Sequence, residues 1–288
     1  MKIGIFAKTF PRPNLEATLD AVRAHGLGCV QFNLACVGLP SMPDQLEDSV
    51  AEWVRRATEA RAIQMAAISG TFNMSHPEPR EREAGLRRLR ILAAACARLG
   101  TRVITLCTGT RDRQDMWRRH PDNDTPQAWQ DLTACMSHAL QIAEEYGVVL
   151  AFEPEVSNVV DTARKSRRLL DEMQSPRLKI VMDAANLFHQ GELARMPAVL
   201  AEAFELLAED VVIAHAKDLS HDGAAGHQAA GTGALDYGLY LRLLRGMGYD
   251  GPLILHSLDE VQVDQAVAFL RDQLQEVEAE RKTQTDTA

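Results

Sequence analysis

The feature that most constrains this chain is a rhythm: short β-branched runs alternate with longer amphipathic stretches, eight times over. The runs fall at 2–6 (KIGIF), 29–33 (CVQFN), 64–69 (QMAAIS), 102–107 (RVITLC), 148–153 (VVLAFE), 178–183 (LKIVMD), 211–215 (VVIAH) and 252–256 (PLILH). Helical patterns occupy 14–26, 44–61, 79–99, 126–146, 162–173, 195–208, 236–248 and 260–276. Regular strand–helix alternation specifies parallel strands joined by crossover helices, because a parallel strand cannot be reached by a tight hairpin.

Eight units in 288 residues, with no Pro/Gly-rich linker between them, predict a single closed α/β domain, a (β/α)8 TIM barrel. The rival is an open doubly wound sheet. That fold places a glycine-rich turn after its first strand, whereas here IGIF runs into AKTFPRP. Gly26, Gly100, Gly147 and Gly248 each follow a helical run, where a helix-ending glycine is expected. The barrel is assigned to 1–276. The polar remainder, 277–288, is expected to be a flexible C-terminal tail.

Composition narrows the partners. A formal net charge of −9 argues against a nucleic-acid partner, since phosphate backbones are held largely by Lys and Arg. No run is long and apolar enough to span a membrane, and MKIGIFAKTF lacks the shape of a signal peptide. The five cysteines, Cys29, Cys36, Cys96, Cys107 and Cys135, are odd in number, scattered and without a CxxC pair, which argues against a disulfide framework. A cytoplasmic location is expected, with a homo-oligomer left open.

In barrels of this kind the chemistry collects where strands end at the carboxyl face. The fifth to eighth runs end in Glu153, Asp183, His215 and His256. Two carboxylates followed by two imidazoles, each after an apolar run, make a mixed oxygen and nitrogen set suited to one divalent ion: Mn²⁺, Mg²⁺, Co²⁺ or Zn²⁺. The competing reading of each residue is ordinary: a strand-end carboxylate often caps the next helix, and a single histidine is often a bonded core residue. The coincidence on four successive strands favours the metal site.

The segments FEPEVSN (152–158), VMDAANLF (181–188), IAHAKD (213–218) and GTGALDYGLYLRLLRGMGYDGPLILH (231–256) give the chain a further meaning. In their order it resembles the xylose-isomerase-like barrels, a group of sugar isomerases and epimerases that also contains apurinic endonucleases. The resemblance implies one divalent ion held by Glu, Asp, His and a second Glu. The first three fall on Glu153, Asp183 and His215; the fourth position carries His256. That departure puts a two-glutamate mechanism in doubt, because an imidazole serves as ligand or as base but not as both at once. The three-metal endonucleases of the group use a histidine three residues after the strand-six Asp, and Asn186 stands there.

The expected function is therefore a metal-dependent isomerase or epimerase acting on a sugar or keto-sugar. Glu153 or His256 would remove a proton beside a carbonyl to give an enediolate. One alternative is a lyase or dehydratase that expels a β-substituent from a keto-sugar, cyclitol or oxidised glycoside; another is a sugar-binding barrel without catalysis. Candidate substrate contacts are His76, Thr108, Arg111, Glu155, Asn158, Asn186, Lys217 and Asp218. Lys217 is a candidate to steady a developing oxyanion. Trp117 and Trp129 flank the long 108–125 loop and either wall a pocket or anchor the loop. The GTG of 231–233 is too short to define a phosphate cradle.

Overall fold

The computed structural model describes the backbone of residues 1–286 and side chains through residue 281. The eight runs become the strands β1 (Lys2–Phe6), β2 (Cys29–Phe32), β3 (Gln64–Ser69), β4 (Val103–Cys107), β5 (Val149–Glu153), β6 (Leu178–Met182), β7 (Val211–Asp218) and β9 (Pro252–Leu255). All are parallel. The order runs β6-β5-β4-β3-β2-β1-β9-β7, and β6 pairs with β7 to close the cylinder. Closure excludes the open doubly wound sheet.

Strand β7 runs past His215 to Asp218, further than its apolar pattern reaches. The extension has a partner: β8 (Gln228–Ala229) folds back antiparallel, pairing Lys217 with Ala229 and Asp218 with Gln228.

Eight helices surround the barrel: α1 (Leu15–Ala24), α2 (Asp48–Glu59), α3 (Pro79–Leu99), α4 (Pro126–Tyr146), α5 (Ala163–Met173), α6 (Met196–Leu207), α7 (Tyr237–Gly246) and α8 (Val263–Asp286). Local chemistry sets their ends. Helix α4 starts at Thr125, whose hydroxyl accepts the Ala128 N–H, with Pro126 in the first turn, where a missing N–H costs nothing. It ends at Gly147 in the left-handed region, φ 64°. Helix α8 continues beyond 276: Val277 is buried, and the segment expected as a flexible tail, 277–288, is helical through Asp286. Residues 287 and 288 lie outside the described part.

Each helix turns an apolar stripe inward. Leu19, Val54, Leu92, Leu132, Leu169, Leu200, Leu241 and Leu270, one from each helix, are fully buried against the outside of the sheet. Inside the cylinder the packing is different. Cys29, Ala66, Ala67, Ala151, Val181, Ile213 and Ile254 form their own cluster. This small apolar plug packs the barrel interior and leaves the carboxyl end as the place for polar groups. The cysteines are all free, and four of the five are buried.

Candidate metal centre and active-site cavity

Glu153 is the last residue of β5, while Asp183 and His256 come directly after β6 and β9. His215 lies within β7, and Lys217 two residues on shares its face of the strand. Each of Glu153, Asp183, His215 and His256 offers one donor atom, and the four atoms lie within 4.8 Å of one another. His215 Nδ1 is 3.4 Å from Glu153 Oε2 and 3.5 Å from Asp183 Oδ2. His256 Nε2 is 3.0 Å from Asp183 Oδ2, and Lys217 Nζ is 3.2 Å from the same oxygen.

The two oxygens of Asp183 are placed differently. Its Oδ1 accepts the Ala185 N–H and caps a short 3-10 turn, while its Oδ2 faces the cluster. The hydroxyl of Tyr240, from α7, lies 2.9 Å from the Met182 carbonyl and 3.0 Å from the His215 carbonyl, tying the ends of β6 and β7 together. After His256 the chain turns through Ser257 at φ 57°, a left-handed conformation unusual for a residue other than glycine. The Ser257 hydroxyl lies 3.3 Å from His256 Nδ1.

The electrostatics follow from two carboxylates sharing a buried space with two cations. Burial opposes charge on Glu153 and Asp183, but His215 and Lys217 outweigh it and hold both carboxyls below their usual range. Burial also opposes charge on His215, yet the Glu153 and Asp183 carboxylates push its pKa up to about 9. His256 goes the other way: burial first, then Lys217, lower it to about 4. Burial and the neighbouring Glu153 charge raise Glu155 to about 7.

These residues fit a divalent cation. The clearest sign is His215 Nδ1, which is buried among the other donors and has no hydrogen-bond partner of its own, although buried nitrogens are nearly always paired. Two carboxylate oxygens and two imidazole nitrogens form a hard-to-borderline set of the kind that binds Mn²⁺, Co²⁺ or Zn²⁺.

The cluster forms part of a cavity of about 640 Å³ lined by residues from several barrel strands and the loops that follow them. Phe6, Gln31, Ser69, Thr105, Lys217 and His256 form part of its lining, and Met116 and Trp117 reach it from the long loop after β4. Phe6 packs against both imidazoles, with ring centroids 5.5 Å from His215 and 4.9 Å from His256. Trp117, 53% exposed, stands at the cavity. Trp129 is an anchor instead: its indole N–H donates to Glu172 and its ring lies under Arg168.

The remaining sequence candidates separate by position. Glu155 and Lys217 line the cavity. Asn186 is buried behind Glu153, donating to Glu153 Oε1 and accepting the Gly226 N–H at 3.0 Å. Thr108 and Asn158 join loops: Thr108 Oγ1 accepts the Val160 N–H, and Asn158 Oδ1 accepts the Gly109 N–H. His76 accepts the Glu78 N–H, and Arg111 reaches Ser75 O and Asp131 Oδ2; neither lines the cavity. Asp218 is spent on backbone: Leu219 and Leu235 donate to Oδ1, and Gly231 and Gly233 donate to Oδ2. The GTG segment thus cradles a carboxylate of its own chain, and a Cβ at Gly233 would meet Asp218 Oδ1 at 2.4 Å.

A closed (β/α)8 barrel with carboxylates and imidazoles gathered at its carboxyl rim defines the class to which this protein belongs. More narrowly, the chain belongs to the xylose isomerase-like TIM barrel family, whose sequence model matches residues 19–273. A search of curated protein sequences finds no match. Among solved structures the chain is similar to 3-keto-D-glucoside 4-epimerase from E. coli, with TM-score 0.70 and 20% identity over 94% of this chain and 99% of that one. It is also similar to L-ribulose 3-epimerase, with TM-score 0.76 and 17% identity over 100% and 99% of the two chains. A third similar structure is the IolI protein with a bound zinc atom, with TM-score 0.74 and 16% identity over 96% and 99%. At these identities the likeness concerns the fold. Among the described residues, no helix is long and apolar enough to cross a membrane.

Proposed function

We propose that this protein is a divalent-metal-dependent epimerase or isomerase of a sugar or keto-sugar, working by proton removal beside a carbonyl. The observation that carries this reading is the convergence of Glu153, Asp183, His215 and His256 within 4.8 Å, beside a cavity large enough for a sugar. That similar folds include a keto-glucoside 4-epimerase and a ribulose 3-epimerase supports the substrate class.

When bound, the cation supplies Lewis acidity that makes a C–H beside a carbonyl easier to ionise. The rest is the work of this chain. Glu153 is the base: it is held ionised by His215 and Lys217, and Asn186 fixes its Oε1. The Lys217 ammonium, anchored by Asp183, faces the cavity where negative charge develops on a substrate oxygen. Glu155, Ser69, Thr105 and Asn33 offer hydrogen bonds to hydroxyls, and Trp117 with Met116 covers an apolar face. Return of the proton from Glu153 to the neighbouring carbon isomerises the sugar; a proton taken instead from water on the opposite face of the same carbon epimerises it, and the proton on Glu153 passes to solvent.

The test is deuterium incorporation from D₂O into a panel of ketoses and 3-keto glycosides. It is followed by NMR on protein first stripped with chelator and then supplied with Mn²⁺, Mg²⁺, Co²⁺ or Zn²⁺. Cation-dependent exchange with an inverted or shifted carbinol carbon is the expected result. Because the end of β9 presents an imidazole and not a second carboxylate, elimination is the rival outcome, and the same spectra report it as loss of the β-substituent. Absence of exchange with every cation and substrate sinks the proposal.

A further inference from the structure

Gln31 is buried, two per cent exposed, on β2, and so comes from the opposite part of the chain to the donor cluster. Its Oε1 lies 3.0 Å from His215 Nε2. Its Nε2 donates to Thr105 Oγ1 at 2.9 Å and reaches Ser69 Oγ at 3.3 Å. The amide therefore crosses the barrel interior, from hydroxyls on β3 and β4 to the imidazole on β7. We propose that Gln31 is the residue that makes His215 a ligand: it holds one proton on Nε2, so that the proton a cation displaces is the one on Nδ1, among Glu153, Asp183 and His256.

The physical argument concerns which nitrogen keeps the proton. A neutral imidazole has one N–H and one lone pair, and the partner of one nitrogen decides the state of the other. An amide oxygen beside Nε2 stabilises the Nε2–H form. An amide NH₂ in the same place would repel that N–H and drive the proton to Nδ1, the nitrogen that faces the other donors. The structure shows the first arrangement: the amide NH₂ donates to the two hydroxyls and the amide oxygen faces Nε2. Gln31 touches neither the cation position nor the reacting carbon in this role; it is a positioning residue. Ser69 and Thr105 also line the cavity, so the amide's orientation is set by groups that meet the substrate.

This inference rests on the reading that the cluster holds a divalent cation, and the experiment separates the two. Zn²⁺ affinity is measured by competition calorimetry for wild type, Gln31→Leu and Gln31→Glu, alongside ¹⁵N spectra of the histidine rings in the zinc-loaded, diamagnetic protein. Wild type should show a proton on His215 Nε2 and nitrogen–zinc coordination at Nδ1. Gln31→Leu should lose roughly 10–100-fold in zinc affinity, the usual effect of removing a partner behind a histidine ligand. Gln31→Glu keeps an acceptor at Nε2 and should retain affinity near or above wild type, which a purely packing role does not predict. It also covers the case in which the leucine variant fails to fold. A wild-type protein that binds no zinc, manganese or cobalt removes the cation reading itself. A wild type that binds, with Gln31→Leu equal to it, or with His215 protonated at Nδ1, overturns the role of Gln31 alone.

Discussion

His256 Nε2 lies 3.0 Å from Asp183 Oδ2, the same oxygen that Lys217 holds from the other side. With its pKa lowered to about 4 by burial and by Lys217, His256 is neutral at pH 7, and its Nε2–H donates to Asp183 where a cation would take the place of that proton. His256→Ala should therefore weaken divalent-cation affinity by at least roughly 100-fold, more than loss of a supporting partner does. His256→Glu should restore it. Calorimetry with Mn²⁺ and Zn²⁺ decides; affinity unchanged in the alanine variant would make His256 a base or a packing residue.

Glu153→Gln should leave the fold intact, because the amide still meets the Asn186 side chain and the strand is held by its ladder. Turnover, measured as solvent deuterium exchange, should fall roughly 10²–10⁴-fold, the usual contribution of a placed base. A variant that exchanges at the wild-type rate with its cation bound removes Glu153 from the base role.

Asp218 makes a prediction about stability and not chemistry. Its carboxylate accepts four backbone N–H groups and closes the 219–235 segment on itself. Asp218→Ala should cost about 3 kcal/mol, since charge-assisted bonds are lost and donors are left unpaired. Urea denaturation measures the cost; a loss below about 1 kcal/mol would show that water replaces the carboxylate.

Trp117 is half in solvent, so Trp117→Ala should leave the melting temperature nearly unchanged. KM should rise roughly three- to tenfold with kcat little altered, the effect of losing one aromatic face against a sugar. An unchanged KM would place the indole outside the substrate's path.

Cation addition gives the simplest measurement. At 100 times its Kd, a divalent ion that binds only the folded chain adds about 2.7 kcal/mol. Thermal unfolding with and without chelator should shift accordingly, and the shift should vanish in Asp183→Ala.

Much of this architecture is legible in the sequence, because period and punctuation are local properties. The run VVLAFE predicts a buried strand ending in a carboxylate, and Glu153 stands there. LKIVMD and PLILH deliver Asp183 and His256 to the same rim by the same rule. The pattern of β7 is less informative: VVIAH ends at His215, but pairing with β8 carries the strand to Asp218, and no local signal announces that hairpin. Site roles fade for the same reason. Nothing near Asp218 says that Gly231 and Gly233 will return to it, and nothing near Asn186 says that Glu153 will be its neighbour. Gln31 is missed because attention falls on strands five to eight; the same strand-end reading applied to CVQFN reaches it one residue before the end of β2.

Tyr240 carries a wider consequence. By bridging the carbonyls of Met182 and His215, it fixes the separation of two donors from a helix outside the barrel. That brace on the Asp183 and His215 strands does not involve the end of β9. Position 256 lies beyond that brace, followed by a backbone kink of its own at Ser257. The rim is in two parts: Asp183 and His215 share a brace, and position 256 stands outside it. An exchange of imidazole for carboxylate there would leave that brace untouched.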